Sequence, residues 1–538
     1  RGVSQKKLHI AFIDEAKKHP FKFCMADSMG LKFNYIQVLA GVLAMLKKLF
    51  SVDRKKNIEN EMVGVLLPAS CAAAMVNGAI LCAGKIPVNL NFTTSRESIE
   101  YAIKECRMTK IISSRRFLEK IHLDANDNVL FLEDINKGIN TIDKIKALLV
   151  GFLLPSFLLK RFCVKGDKVN IEDVATVIFS SGSTGIPKGV MLSHRNIFSN
   201  IEGLYQVLKV QPKDVIMGVL PFFHSFGFTG TLCFPMGAGI GAVYHSNPLD
   251  ASTVGKLVNK YKATIIMGTP TFLSAYTRKC TKEQFRSLRY AVAGAEKLKK
   301  PNADAFYEKF SIVPFEGYGA TELSPVVAMG IPDYISKREH IKQVGYKEGK
   351  VGHPIPGVAI KVIDLDTQQM LAHNQEGLLL VKGPNVMKGY LNQPEKTAEV
   401  IKDGWYVTGD IATVDEDGFL CITDRISRFS KIGGEMVPHV KVEEVILEAM
   451  AVSDPVCVVT AVSDEKKGER LVVLHKGDLN VDEIWSRLNT KDIPKLWIPK
   501  KECFYKVDEI PLLGSGKLDL KKIKVIAQDR STETEVRE

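Results

Sequence analysis

At 538 residues the chain is too long for a single core, so at least two domains are expected, and its 45% hydrophobic and 25% charged content is ordinary for a globular protein. Ten cysteines are scattered with no Cys-x-x-Cys pair and no His/Cys cluster, which points away from a zinc site and toward reduced thiols in the cytoplasm. The net charge of +12 favours anionic partners, but the lysines are spread and no nucleic-acid motif is present, so nucleic acid is not expected among them.

No signal-peptide pattern opens the sequence. Because it starts at Arg1 rather than Met, a processed chain or one part of a longer polypeptide is expected. Residues 1 to about 60 read as a helical entry, with Leu8, Ile10, Phe12 and Ala16 at helical spacing and the pattern repeated from Tyr35 to Leu49. From Val63 to about Leu249 short apolar runs alternate with helical segments, which predicts mostly parallel sheets covered by helices. Two long uncharged stretches, Met62 to Gly84 and Val215 to Leu249, are broken by Pro68 and by Pro221 and Pro235. They are read as buried core and not as membrane spans.

Residues 144–165 are unusual. Ala147 to Leu159 carry no charge, while Lys144, Lys146, Lys160, Arg161 and Lys165 flank them. The run is too short to span a bilayer, and Pro155 interrupts any helix through it. Two readings stand: a buried core helix, or a segment lying in a membrane interface with its basic residues on lipid headgroups.

Next comes Val174 to Phe179, a β-branched run that predicts a buried strand, and then Ser180-Ser181-Gly182-Ser183-Thr184-Gly185-Ile186-Pro187-Lys188-Gly189. Glycines that admit a close backbone, hydroxyls and amides that donate, and a mobile lysine charge suit the wrapping of phosphates. The spacing is not that of the Gly-x-x-x-x-Gly-Lys-Ser/Thr phosphate loop, and a helix start is expected after it at Asn196. Further strand-to-turn units follow at Ile265 to Pro270 and Tyr290 to Ala295. Antiparallel strands are expected at Gly377 to Gly383 and Gly418 to Ile422, within a β-rich subdomain over about residues 345–423. After Arg425 lysine density rises and helices and strands restart around Lys441 to Met450, which places a domain boundary near Ser427.

The Ser180 loop resembles the signature loop of the adenylate-forming enzymes, the superfamily of acyl-CoA synthetases, acyl-carrier-protein synthetases, peptide-synthetase adenylation domains and luciferases. The resemblance covers nearly the whole chain. Phe315 to Glu322 resembles its nucleotide segment, which implies that Gly317, Tyr318 and Gly319 line the adenine, that Thr321 bonds the α-phosphate and that Glu322, with Thr184, holds Mg2+. Ala293-Gly294-Ala295-Glu296 resembles the adenine-pocket segment, and Tyr406 to Asp410 the one whose aspartate takes the ribose hydroxyls, with Arg425 beside it. By the same match His224, in Pro221-Phe-Phe-His-Ser-Phe-Gly227, gates the carboxylate substrate. Lys517, in Pro511-Leu-Leu-Gly-Ser-Gly-Lys517, is the adenylation lysine, and Lys188 stabilises departing pyrophosphate. Ser427 stands where the family usually has Asp or Lys at a hinge, and Gly434 and Glu435 would line a thiol channel.

The implied fold is α/β: an N-terminal domain over residues 1–426, of mixed, mostly parallel sheets with helices and the β-rich part, and a small mobile α+β domain over 427–538. The implied reaction joins a fatty acid to a thiol through acyl-AMP, using ATP and Mg2+. In texture the chain is most similar to the bacterial acyl-acyl-carrier-protein synthetases, including the synthetase half of bifunctional lysophospholipid acyltransferases. The match rests on Lys431 to Val437, the Gly-Tyr-Gly-Ala-Thr-Glu form and the insert at 148–159. Acyl carrier protein is therefore the expected acceptor. Lys466, Lys467, Arg470, Lys491, Lys495, Lys500 and Lys501 are a candidate basic face for that acidic partner. Coenzyme A is the alternative acceptor, and a silent membrane or acyl-binding module the alternative class.

Overall fold

The computed structural model describes residues 6–50, 61–124, 127–180, 187–335, 342–433, 435–450, 456–464, 467–491, 493–512 and 518–535. Its largest sheet has nine strands, in the order His353–Pro354, Val326–Met329, Pro314–Gly319, Tyr290–Ala293, Ile265–Gly268, Val215–Gly218, Gly241–Tyr244, Phe23–Asp27 and Lys32–Asn34. The six strands from Pro314–Gly319 to Phe23–Asp27 run parallel, and antiparallel pairs close both sides. A second, fully parallel sheet orders Ile86–Asn89, Met62–Val65, Ile111–Ser113 and Val129–Phe131. Fully buried strands with β-branched residues between amphipathic helices are what the alternating pattern predicts.

The helical entry needs correction. Helices Leu8–Lys18 and Tyr35–Phe50 form as expected, but Phe23–Asp27 between them is a strand of the main sheet. Its short apolar run reads as helix in isolation; pairing with Gly241–Tyr244, more than 200 residues away, decides otherwise. The helix after the Ser180 loop starts at His194, not at Asn196. Ser193 and Asn196 form a reciprocal capping box, so Asn196 is the third helical residue.

Both long uncharged stretches are core. Helix Cys71–Cys82 is buried almost all round, and the π-helical turn Phe228–Cys233 is buried at every position. Among the described residues, no helix is long and apolar enough to cross a membrane.

The 144–165 segment is a helical hairpin, Thr141–Leu153 and Ser156–Cys163, broken at Pro155 as its ring requires. It is not a buried core helix. Ala147, Gly151 and Leu159 face inward, whereas Leu153 and Phe157 are each 68% exposed. The inner face is too narrow to cover the apolar side chains that radiate from both helices.

Past residue 355 an antiparallel sheet joins Ala359–Ile363, Gly377–Lys382, Trp405–Val414, Ile401–Lys402 and Leu420–Arg425. The hairpin Phe429–Ile432 and Glu435–Pro438 and helix His439–Met450 come next. A three-stranded sheet of Cys457–Asp464, Gly468–Lys476 and Phe504–Val507 then packs with helices Val481–Asn489 and Leu520–Glu535. The main apolar cluster ends at Leu420, with Ile422 packed against it, and a separate one begins at Ile432.

Candidate active site

Val174–Ser180 and Lys188–Ser193 pair antiparallel, with Ser180 opposite Lys188, so the strand register brings the two ends of the loop together. Ser181, Gly182, Ser183, Thr184 and Gly185 lie outside the described residues, as do Gly434 and Lys517. On the other side, Gly389–Tyr390 pairs with Val190 and Met191 and sets Tyr390 beside the lysine. The Lys188 Nζ lies 5.0 Å from the Tyr390 ring centroid, within cation–π range. The Tyr390 hydroxyl donates to Glu322 Oε1 at 3.0 Å. Tyr390 thus holds the loop lysine and the carboxylate together from one residue. Sequence reading missed it, since a tyrosine in Gly-Tyr-Leu-Asn gives no sign of where its ring will point. Burial and the Glu322 carboxylate push the Tyr390 hydroxyl well above its ordinary pKa, so it stays a donor, and burial does the same for neighbouring Tyr406.

Pro314–Gly319 delivers the nucleotide segment. The Tyr318 hydroxyl donates to Asp410 Oδ2, and Arg425 Nε pairs with Asp410 Oδ1 at 2.8 Å. Asp410 is only 3% exposed and sits directly across the strand pair from Arg425. Its backbone N–H donates to Thr408 Oγ1 at 3.0 Å. Burial, reinforced by Asp410, raises the Tyr318 hydroxyl, and the Asp410 carboxylate raises Arg425, so Tyr318 stays a neutral donor and Arg425 a cation. Each carboxylate oxygen has a second lone pair, which leaves Asp410 able to accept from a vicinal diol.

Two of the glycines around this cluster face tight neighbours. A Cβ on Gly319 would lie 2.1 Å from the Pro325 carbonyl oxygen, and one on Gly294 3.1 Å from the Phe226 ring. Ala295 carries the left-handed φ of 70°, a strained turn at the end of strand Tyr290–Ala293. On the neighbouring strand Pro314–Gly319, a Cβ added at Gly317 would meet only ordinary contacts. Glu296 is drawn away from the cluster and accepts from Thr271 Oγ1 at 2.8 Å.

Thr321 and Glu322 open a short turn, Thr321–Leu323, pinned by the Met387 N–H donating to the Glu322 carbonyl at 2.8 Å. The Thr321 and Ser225 hydroxyls are 3.2 Å apart, which ties this turn to the residue next to His224. His224 packs against Phe223 at 4.7 Å between ring centroids, and Phe223 contacts Phe92 edge-on at 4.9 Å. The aromatic setting read for His224 is thus present. Ser427 falls in the short turn Ile426–Arg428, and Glu435 opens the strand Glu435–Pro438 beyond it. Among the contacts that cross this point, the Val440 N–H donates to Asp424 Oδ2 at 3.2 Å, Lys297 pairs with Glu444 at 2.9 Å, and Lys431 approaches Asp366 at 4.0 Å. On the expected basic face, Lys491, Lys500 and Lys501 pair with Glu448, Glu502 and Asp482. Lys466 lies outside the described residues.

The donor set suits a nucleotide: a buried carboxylate for the sugar, glycine-lined backbone for a flat base, and a lysine beside a carboxylate for charge. Among the described residues no group of three or more His, Cys, Asp or Glu could hold a resident metal ion. The single carboxylate of Glu322 fits Mg2+ differently, since that ion keeps its waters and arrives on substrate phosphates with one or two protein oxygens.

The AMP-binding enzyme family matches residues 14–391, and the chain belongs to it. It is thereby a member of the adenylate-forming superfamily. Among curated relatives it is similar to 4-coumarate–CoA ligase 1 of Petroselinum crispum, 32% identical over 532 residues that cover 95% of this chain and 92% of the relative. It is also similar to a long-chain-fatty-acid–CoA ligase of Bacillus subtilis, 28% identical over 560 residues, 96% of this chain and 94% of that one. Among solved structures, ATP-bound MatB from Rhodopseudomonas palustris shares the fold at a TM-score of 0.78 and 23% identity, covering 98% of this chain and 99% of its own.

Proposed function

We infer that this acid–thiol ligase activates a fatty acid as acyl-AMP and passes it to the phosphopantetheine thiol of an acyl carrier protein. The observation that carries the ligase site is the meeting of Lys188 and Glu322 on Tyr390, beside the Tyr318–Asp410–Arg425 cluster. A carboxylate oxygen attacks the α-phosphorus of ATP, the bond to pyrophosphate breaks, and Lys188 and Lys517 meet the charge that shifts onto the phosphates. Glu322 and Thr184 would hold Mg2+ brought in with ATP, which screens the same charge. Ser180 to Gly185 would wrap the phosphates and Thr321 would bond the α-phosphate. Asp410 and Arg425 would hold the ribose, and Gly294 to Glu296 with Gly317 to Gly319 would flank the base. His224 would gate the carboxylate.

In the second step the thiol sulfur attacks the acyl carbon, AMP leaves and the thiol proton is lost to solvent. Residues 1–426 and 427–538 act as two domains turning about Ser427, so that Gly434 and Glu435 line the thiol's path. The separate apolar clusters on either side of residue 427 support that division. A second reading makes coenzyme A the acceptor, and the names of the relatives favour it. The protein works in the cytoplasm, attached peripherally to a membrane through residues 144–165.

Fatty-acid-dependent exchange of labelled pyrophosphate into ATP tests the first step. Lys517→Ala is expected to lower that exchange at least 100-fold while sparing thioester formation from supplied acyl-AMP; exchange at the wild-type rate ends the assignment. Thioester assays with carrier protein and coenzyme A side by side decide the acceptor.

A further inference from the structure

We propose that helices Thr141–Leu153 and Ser156–Cys163, together with Phe21 from the turn after the first helix, form a preassembled platform that docks on anionic lipid. It rests on the peripheral attachment inferred above but names the surface, the lipid charge and a residue far away in sequence.

The outer face is apolar and stays so. Ile142, Ile145, Leu149 and Leu153 recur along one side of the first helix, and all are exposed. After Pro155 the second helix exposes Phe157 at 68% and, from another side, Phe162 at 72%. Phe21 is 72% exposed and its ring centroid lies 5.7 Å from that of Phe152, so a segment 131 positions earlier extends the same patch. Scattered apolar residues on a surface need no explanation; a contiguous patch built from three segments does.

The inner face shows why the hairpin cannot turn over to hide these side chains. Lys17 Nζ donates to the carbonyls of Gly151 and Phe152 at 2.9 and 2.8 Å, holding the end of the first hairpin helix. Asp14 accepts from Ser156 at 3.2 Å and pairs with Lys160. Ala147 and Gly151 lie against the protein, the latter facing Ile36 and Leu39. The platform is therefore bolted to helices Leu8–Lys18 and Tyr35–Phe50 with its apolar side outward.

Charge selects the occupant. Residues 141–165 contain five basic residues and one acid, Asp143, and that acid pairs with Lys47 at 2.9 Å. Lys144, Lys146, Arg161 and Lys165 are exposed beside the apolar face. Apolar side chains ringed by cations match the acyl boundary and headgroups of an anionic leaflet. A second copy of this chain would bring the same cations face to face, which like-charge repulsion disfavours.

The test is co-sedimentation of the full chain with phosphatidylglycerol/phosphatidylcholine vesicles and with pure phosphatidylcholine vesicles, at low and high salt. Binding is expected to the mixed vesicles, weakened by salt and by about fivefold for each basic residue removed. Lys144→Glu with Arg161→Glu should show that loss. Leu153→Asp with Phe157→Asp should lower binding at least tenfold, while pyrophosphate exchange with a water-soluble short acid stays at the wild-type rate. Should that double variant not fold, Phe157→Trp provides a conservative probe: its emission is expected to shift blue on mixed vesicles and not on phosphatidylcholine alone. Absent vesicle binding, binding indifferent to lipid charge, or a dimer in gel filtration that Leu153→Asp abolishes would each overturn the proposal. Loss of exchange in the wild type would instead count against the ligase reading, so the two fail separately.

Discussion

Helix Cys71–Cys82 and helix Thr141–Leu153 invite comparison because both pack on helix Tyr35–Phe50 and both contain an uncharged, apolar run. The first is enclosed. Gly78 approaches Val42, Met75 reaches Gly41, and the polar Asn77 is satisfied by the Ala73 carbonyl and the Asn89 side chain. The second touches the same helix through Gly151, buries Ala147 and leaves its larger apolar side chains outside. Hydrophobicity alone therefore does not place a helix in the core. A second layer must cover its far side, and only the Cys71–Cys82 helix has one, with the Met62–Val65 and Ile86–Asn89 strands and helix Leu8–Lys18 around it.

The largest effect that could break this contrast is a charge placed on each helix. Ile80→Lys puts an unpaired ammonium among fully buried neighbours and is expected to cost about 4 kcal/mol or more, read as loss of soluble protein or of the urea transition. Leu153→Lys, on the open face, is expected to change stability by no more than about 0.5 kcal/mol. Equal tolerance at both positions would dissolve the distinction.

Acid should act on the enclosed region next. His9 lies among Asn77, Gly78 and Leu81, donates from Nε2 to the Gly166 carbonyl at 3.0 Å, and meets His194 edge-on at 5.4 Å. Burial lowers His9 well below the ordinary imidazole value and lowers His194 to about 3. The unfolded chain binds protons below about pH 6.5 that the folded pair refuses, so stability is fullest above that pH and falls as pH drops toward about 3. At pH 5.5 each histidine is expected to cost about 1.4 kcal/mol. Urea midpoints at pH 7.5 and 5.5 check it, and His194→Asn should flatten the difference.

The smallest effect concerns two helical glycines. At Gly151 an added Cβ would sit 3.5 Å from Ile36 Cδ1, an ordinary contact, so Gly151→Ala is expected to stabilise by about 0.5–1 kcal/mol. At Gly78 the same atom would lie 3.2 Å from Val42 Cγ2, and Gly78→Ala is expected to gain nothing. Thermal melts of the two variants separate a close-packed seam from a loosely covered one.

Much of the site was legible in the residues themselves. Tyr318 to Glu322 and Thr408 to Asp410 are short motifs, and adjacency along the chain is what a sequence displays; the reading of the Ser180 to Gly189 loop falls mostly on residues outside the described ones. The alternation of strands and helices was legible for the same reason, since period and turn residues are local. What only the tertiary structure decided was convergence and cover. Tyr390 meets Glu322 from 68 positions away, and Tyr318 meets Asp410 from 92. The strand Phe23–Asp27 exists because Gly241–Tyr244 pairs with it. Phe21 joins Phe152 because Lys17 and Asp14 fasten the hairpin beside the first helix. The same apolar composition stands for a buried helix or an open face, because burial is a property of what packs on both sides and not of the segment alone.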